Sequence, residues 1–132
     1  MKKKILLIIF TLLITCACSS SLKNINLKKL NNLLNDKKTF VLYLTDNDKG
    51  KTLKNTLQKV STDNKIESYY LNTIKLSDKE LKDLKKIFKY DDTNIILFIK
   101  DGKEETVLSR IDDLYISEKK LEQELKNQGY IK

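Results

Sequence analysis

The sequence predicts an α/β domain with a four-stranded mixed sheet, ordered 66–72, 39–44, 94–100, 103–109, and helices on both faces. Three observations lead there. Thr39–Leu44 and Asn94–Ile99 are short, nearly unbroken apolar runs, the pattern of strands buried on both sides. Around them apolar residues recur at helical spacing, as at Leu53, Leu57 and Val60. Lys100-Asp101-Gly102-Lys103 reads as a hairpin turn, because Asp-Gly supplies the positive φ angles of a two-residue loop.

The most specific motif is at the N-terminus. Lys2-Lys3-Lys4 is a basic opening, Ile5 to Ile14 is apolar apart from Thr11, and Thr15-Cys16-Ala17-Cys18-Ser19-Ser20 follows. The apolar run is well short of the roughly 20 residues that span a bilayer, but it suits the roughly 7–15 of a secretory leader. Ala17-Cys18 resembles the lipobox of bacterial lipoproteins. That resemblance implies cleavage before Cys18 and a diacylglyceryl group on its sulfur. Cys16 is the alternative, with Leu13 at the usual aliphatic position; for Cys18 that position holds Thr15. An uncleaved anchor and an ordinary secretion leader are the plainer readings. The expected organisation is a leader over 1–17, a lipidated tether over 18–25 and one domain over 26–132. The chain would then sit at the extracytoplasmic face of a bacterial cell membrane.

Both cysteines fall at this processing site, so the folded body is expected to have no disulfide and to rely on its own core. There is no His, Trp or Pro. Removing Lys2, Lys3 and Lys4 from the 26 basic residues leaves 23 against 18 acids, a formal +5. Lys23, Lys28, Lys29, Lys37 and Lys38 lie nearest the anchor and could meet anionic lipid. Solvated helix and loop lysines are the plainer reading, and the sequence alone favours it. No nucleic-acid partner is expected: Arg110 is the single arginine, and the charges are interspersed. The chain is expected to be monomeric.

In order, Leu27, Leu30, Leu33 and Leu34 form one helical stripe, with Asn24 or Asn26 as N-cap, and Asp36-Lys37-Lys38 ends it. Strand 39–44 and the helix of Leu53 follow. Ile66 to Leu71 is a second strand. Ser77-Asp78-Lys79-Glu80 is a capping box that starts a helix burying Leu81, Leu84, Ile87 and Phe88. After the hairpin, Ser117 caps a last helix with Leu121 and Leu125 inward and Gly129 as its stop. Strands joined through helices are expected to run parallel, with the hairpin adding an antiparallel edge.

This element order is similar to the thioredoxin fold without its first strand. Thr93-Asn94-Ile95-Ile96-Leu97-Phe98-Ile99-Lys100-Asp101-Gly102-Lys103 resembles that family's run from Thr-Pro-Thr into an apolar strand and a turn. Bacteriocin transport accessory-type proteins share the layout. The resemblance implies a Cys-x-x-Cys near Lys49-Gly50-Lys51-Thr52 and a cis-proline at Asn94, and both motifs are missing. Thiol–disulfide exchange needs the thiolate, so redox catalysis is not expected. The Thr93–Asn94 bond is expected to be trans, since a non-proline cis bond costs roughly 2.5–4 kcal/mol.

The candidate partner-binding surface is therefore Asp46, Asn47, Asp48, Lys49, Gly50, Lys51 and Thr52 with Thr93 and Asn94, docking a protein or peptide. Tyr43, Tyr69, Tyr70, Tyr90 and Tyr115 would contribute if exposed; that most of them finish the core is the preferred alternative. Gly50-Lys51-Thr52 matches half a phosphate loop, but Thr45 stands where its first Gly belongs. Asp46-Asn47-Asp48 resembles the opening of a calcium loop with its Gly one residue early and Leu57 where the closing Glu belongs. The acidic doublets Asp91-Asp92, Glu104-Glu105 and Asp112-Asp113 read as solvated, and without His no ordinary serine triad is possible. No catalytic residue, metal or cofactor is expected. The alternatives are an accessory or immunity factor for a secreted peptide, and a degenerate oxidoreductase relative using Lys49 or Lys51.

Overall fold

A computed structural model of the chain describes residues 22–46, 51–88, 95–108 and 117–132. Strand β1 (Lys23–Asn24) is followed by α1 (Leu27–Asn35), β2 (Phe40–Thr45), α2 (Lys51–Asn64) and β3 (Ser68–Asn72). A 3-10 turn (Thr73–Lys75), α3 (Asp78–Ile87), β4 (Ile95–Lys100), β5 (Lys103–Leu108) and α4 (Glu118–Asn127) complete the order. The sheet runs β1-β3-β2-β4-β5, so the four longer strands take the expected order and β1 adds a fifth at one edge. Residues 22–25, assigned to the tether by sequence, thus belong to the body, with Leu22 and Ile25 buried. A two-residue strand has no alternation by which a sequence could reveal it.

Strand direction departs from expectation in one place. β2 is parallel to β3 but antiparallel to β4. Leu44 lies opposite Leu71 on one side and Ile95 on the other, so β3 ends and β4 begins at the same end of the sheet. One helix laid back along a sheet delivers the chain to the far end and makes the next strand parallel. Here the connection contains a 3-10 turn before α3 and returns to the end it left.

Every residue from Phe40 to Leu44 and from Ile95 to Ile99 is buried, and alternation divides them between two cores. Phe40, Leu42, Leu44, Ile95, Leu97 and Ile99 meet Leu27, Leu30 and Leu33 of α1 and Leu84 of α3. Val41, Tyr43, Ile96 and Phe98 meet Leu53, Leu57 and Val60 of α2 and Leu121 and Leu125 of α4. Of the expected inward residues of α3, Leu84 and Phe88 are buried, whereas Leu81 and Ile87 are half-exposed. The helix starts are those the sequence signals. Asn26 Oδ1 accepts from Lys29 N at 2.8 Å, Ser77 and Glu80 form the reciprocal box, and Ser117 Oγ accepts from Lys120 N at 3.2 Å.

The hairpin turn does more than reverse the chain. Asp101 and Gly102 have φ of 51° and 75°, as an Asp-Gly turn requires. Gly102 N also donates to Lys38 O at 2.9 Å, and Asp101 N donates to Thr39 Oγ1 at 3.1 Å. The C-terminal end of α1 is pressed against the turn: a Cβ on Gly102 would lie 2.2 Å from Leu34 O and 3.0 Å from Lys37 Cα. Both are backbone atoms, which cannot swing aside. Gly129, with φ of 80°, has nothing within 4 Å of the corresponding position.

The two glycines therefore predict different costs. Gly102→Ala should lose about 3 kcal/mol by adding a backbone clash to left-handed strain, and Gly129→Ala only about 1 kcal/mol from strain alone. Urea unfolding midpoints measure the difference, and equal losses would contradict the close approach of α1. A second expectation concerns Ser61 and Ser68, whose hydroxyls are buried without a hydrogen-bond partner. Ser61→Ala should raise stability by about 1 kcal/mol, because it removes an unpaired polar group and improves helix propensity.

Candidate functional site

The end of the sheet where β2 and β3 finish gathers the candidate residues. Thr45, the last residue of β2, pairs with Asn72, the last of β3. Thr73 Oγ1 donates to Thr45 O at 3.1 Å, fastening the 3-10 turn to the end of β2. Asn72 Oδ1 accepts from Ile74 N at 3.1 Å and caps the same turn. A turn clamped at both sides has no freedom to fold its apolar residue inward. Ile74 is accordingly 68% exposed, the one large hydrophobic left in solvent among the described residues. Asp46, half-exposed, follows Thr45 directly.

The helix α2 starts at Lys51 and has no acidic residue in its first turn. Lys54 Nζ lies 3.8 Å from the centroid of the Tyr70 ring, a cation–π contact that joins α2 to β3. Beneath the site Tyr43 is fully buried. Burial pushes its phenol above the ordinary value, a hydrogen bond with the Thr45 side chain works against that, and the Asp46 charge adds to the rise. Tyr69, on the opposite face, is also raised, first by burial and then by its bond to the Glu67 carboxylate.

Of the residues expected to bind a partner, Asp46 stands at this end, and Lys51 and Thr52 are the first residues of α2. Asn47, Asp48, Lys49, Gly50, Thr93 and Asn94 lie outside the described residues, and with them the expected trans Thr93–Asn94 bond. So do Cys16, Cys18, Tyr90, Tyr115, Asp91, Asp92, Asp112 and Asp113. Tyr43 and Tyr69 are core residues, as the preferred reading expected, and not exposed contacts: alternation turns them to opposite faces, each covered by helices. Tyr70 is half-buried under Lys54. The phosphate-loop reading weakens further, since Thr45 is a buried ladder residue rather than the free backbone such a loop curls around its ligand. Among the described residues no three His, Cys, Asp or Glu side chains converge to hold a metal.

Ile74 is the site residue that sequence reasoning missed. Its neighbours Asn72-Thr73 were a possible signal, as an Asx cap can start a turn after a strand. A lone Ile between two apolar stripes is indistinguishable by pattern from a core residue.

No protein-family model matches the chain. No curated protein matches it either. Among solved structures, thioredoxin NaTrxh from Nicotiana alata is similar with a TM-score of 0.59, over 82% of this chain and 92% of that one. The fold is thioredoxin-like. At 15% identity the likeness is one of architecture. Against that architecture, the chain has only two cysteines, at positions 16 and 18, and none from Leu22 to Lys132.

The two raised phenols predict an alkaline limb of stability. The folded state keeps Tyr43 and Tyr69 neutral above the ordinary value of 10.0, at which an unfolded chain begins to release their protons. Their contribution is complete below about pH 10 and lost as the pH climbs beyond it. Urea midpoints measured from pH 8 to 11 should stay level and then fall, and Tyr69→Phe should make the fall shallower.

Proposed function

We propose that this chain is a non-catalytic binding module, a thioredoxin-like body tethered by an acylated Cys18 to the outer face of a bacterial cell membrane. The observation that carries the reading is the sheet end itself. It keeps the thioredoxin-like arrangement of a strand end facing a helix start, has no sulfur, and holds Ile74 out in solvent beside Asp46. The exposed Ile74 offers an apolar contact, and its sequence neighbour Lys75 would form part of a polar rim. A protein or peptide offering an apolar side chain with charges of both signs around it fits that chemistry.

The alternatives share the body and differ in chemistry. A residual oxidoreductase would need a thiolate, which neither Lys nor Thr can replace. A lysine nucleophile at Lys49 or Lys51 would need desolvation, and Asp, Asn and Lys neighbours do not provide it. A role beside an exported peptide, as accessory or immunity factor, is the narrower form that the resemblance to bacteriocin transport accessory proteins implies.

Two measurements test the reading. The full chain should show no turnover of a reducible disulfide substrate; turnover would overturn the non-catalytic assignment. Photocrosslinking in producing cells should trap a partner through a probe at Lys51, the first residue of α2. Ile74→Asp should reduce that capture at least tenfold while the urea midpoint stays within the equivalent of about 0.5 kcal/mol, as expected for an exposed residue. Undiminished capture would place the contact elsewhere.

A further inference from the structure

We infer that the β1 edge, ringed by Lys23, Lys28, Lys29 and Lys75, lies flat on an anionic lipid surface. This rests on the proposed anchoring at Cys18 and on the burial of Leu22. Leu22 is buried in the core shared with α2 and α4, so the chain is already committed to the body at that residue. Three residues, Ser19 to Ser21, separate Cys18 from Leu22, and the four Cα-to-Cα steps span at most about 14 Å. An anchored Cys18 would therefore hold the β1 edge close to the headgroups. The far edge, β5, is four strand spacings away, about 19 Å. That is about twice the distance over which charges are felt at physiological salt.

The charge on this edge suits such a surface. Lys23 and Lys29 line an open cleft of about 350 Å³ together with Asn24, Ile25, Asn26 and Tyr69. A second cleft of about 330 Å³ continues along the edge of β3 and includes Lys75 and Glu80. The first turn of α1 holds Lys28 and Lys29 and no acid, although a helix start favours negative charge. Glu67 accepts from the Tyr69 hydroxyl and Glu80 from Ser77 N at 2.8 Å, so both carboxylates are held to the body, and the four lysines outnumber these two acids. The structure also divides the five lysines nearest the anchor in sequence. Lys23 on β1 and Lys28 and Lys29 in the first turn of α1 are exposed, whereas Lys37 and Lys38 follow the other end of α1, where Lys38 O meets Gly102 of the hairpin. A basic residue within reach of anionic headgroups improves partitioning roughly fivefold.

Lysine footprinting of the full chain tests this. The chain is produced in a lipoprotein-processing bacterial host, reconstituted into phosphatidylglycerol–phosphatidylcholine or pure phosphatidylcholine vesicles, and treated with a membrane-impermeant amine reagent. Mass spectrometry should show Lys23, Lys28 and Lys29 labelled at least fivefold more slowly on the anionic vesicles. Lys103, Lys119 and Lys126, all exposed, should label equally on both. The K23E/K28E/K29E variant should lose the difference at Lys75 while its urea midpoint holds or rises, since acids favour the start of α1. Equal labelling of all lysines on an acylated product would overturn the docking face and leave the anchor standing. An intact mass without a diacylglyceryl Cys18 would overturn the anchor and the docking face together.

Discussion

Two neighbouring strands that offer no face to water, β2 and β4, constrain everything else in this protein. Each of their ten central side chains is buried, so helices must cover both sides of the sheet before either strand is stable. Full burial of one such side chain contributes about 1.5–3 kcal/mol, and no local propensity in the flanking helices is comparable. The helices α1 and α3 on one face and α2 and α4 on the other are therefore covers whose apolar stripes are answers to the strands. The pairing of Phe40 with Ile99 through Leu44 with Ile95 keeps the two runs in register over their whole length.

From that central pair, the location of the site follows. β2 and β3 finish together, and β4 starts beside them, so three strand termini and the start of α2 meet at one end. Backbone there is released from the ladder and must be satisfied by side chains. Thr73 and Asn72 do this, and in doing so they hold Ile74 outward. The buried Tyr43 beneath, with Thr45 and Asp46 around its phenol, supports the strand end from within. The exposed Ile is thus a consequence of how strand ends are closed.

The sheet edges are managed differently. β1 is only two residues long and is continued by Ile25 N donating to Tyr70 O at 3.0 Å. Short, lysine-bearing edges resist pairing with another chain. The β4–β5 edge is held by its turn, where Gly102 and Lys38 join the hairpin to the end of α1. The register shifts between Phe98 and Ile99, which face Thr106 and Glu104 of β5. The pair Lys59–Glu118, 2.7 Å apart, spans α2 and α4 at the surface and adds little to their shared core.

Much of the architecture was legible because its signals are local. Unbroken apolar runs marked Phe40–Leu44 and Ile95–Ile99, Asp101-Gly102 named its own turn, and Asn26, Ser77 and Ser117 announced their helices. The candidate site was legible only as a place, at Asp46 and the start of α2. Ile74 and β1 were not, because an exposed Ile and a buried one look alike in sequence, and two residues cannot display a period. The direction of β4 and the demand for glycine at 102 depend on where the chain returns and on what is pressed against it. Sequence determined which segments are strands and helices, since that depends on spacing within a few residues. Tertiary structure alone decided which residues face solvent and how β4 is oriented, because those depend on contacts between segments far apart in the chain.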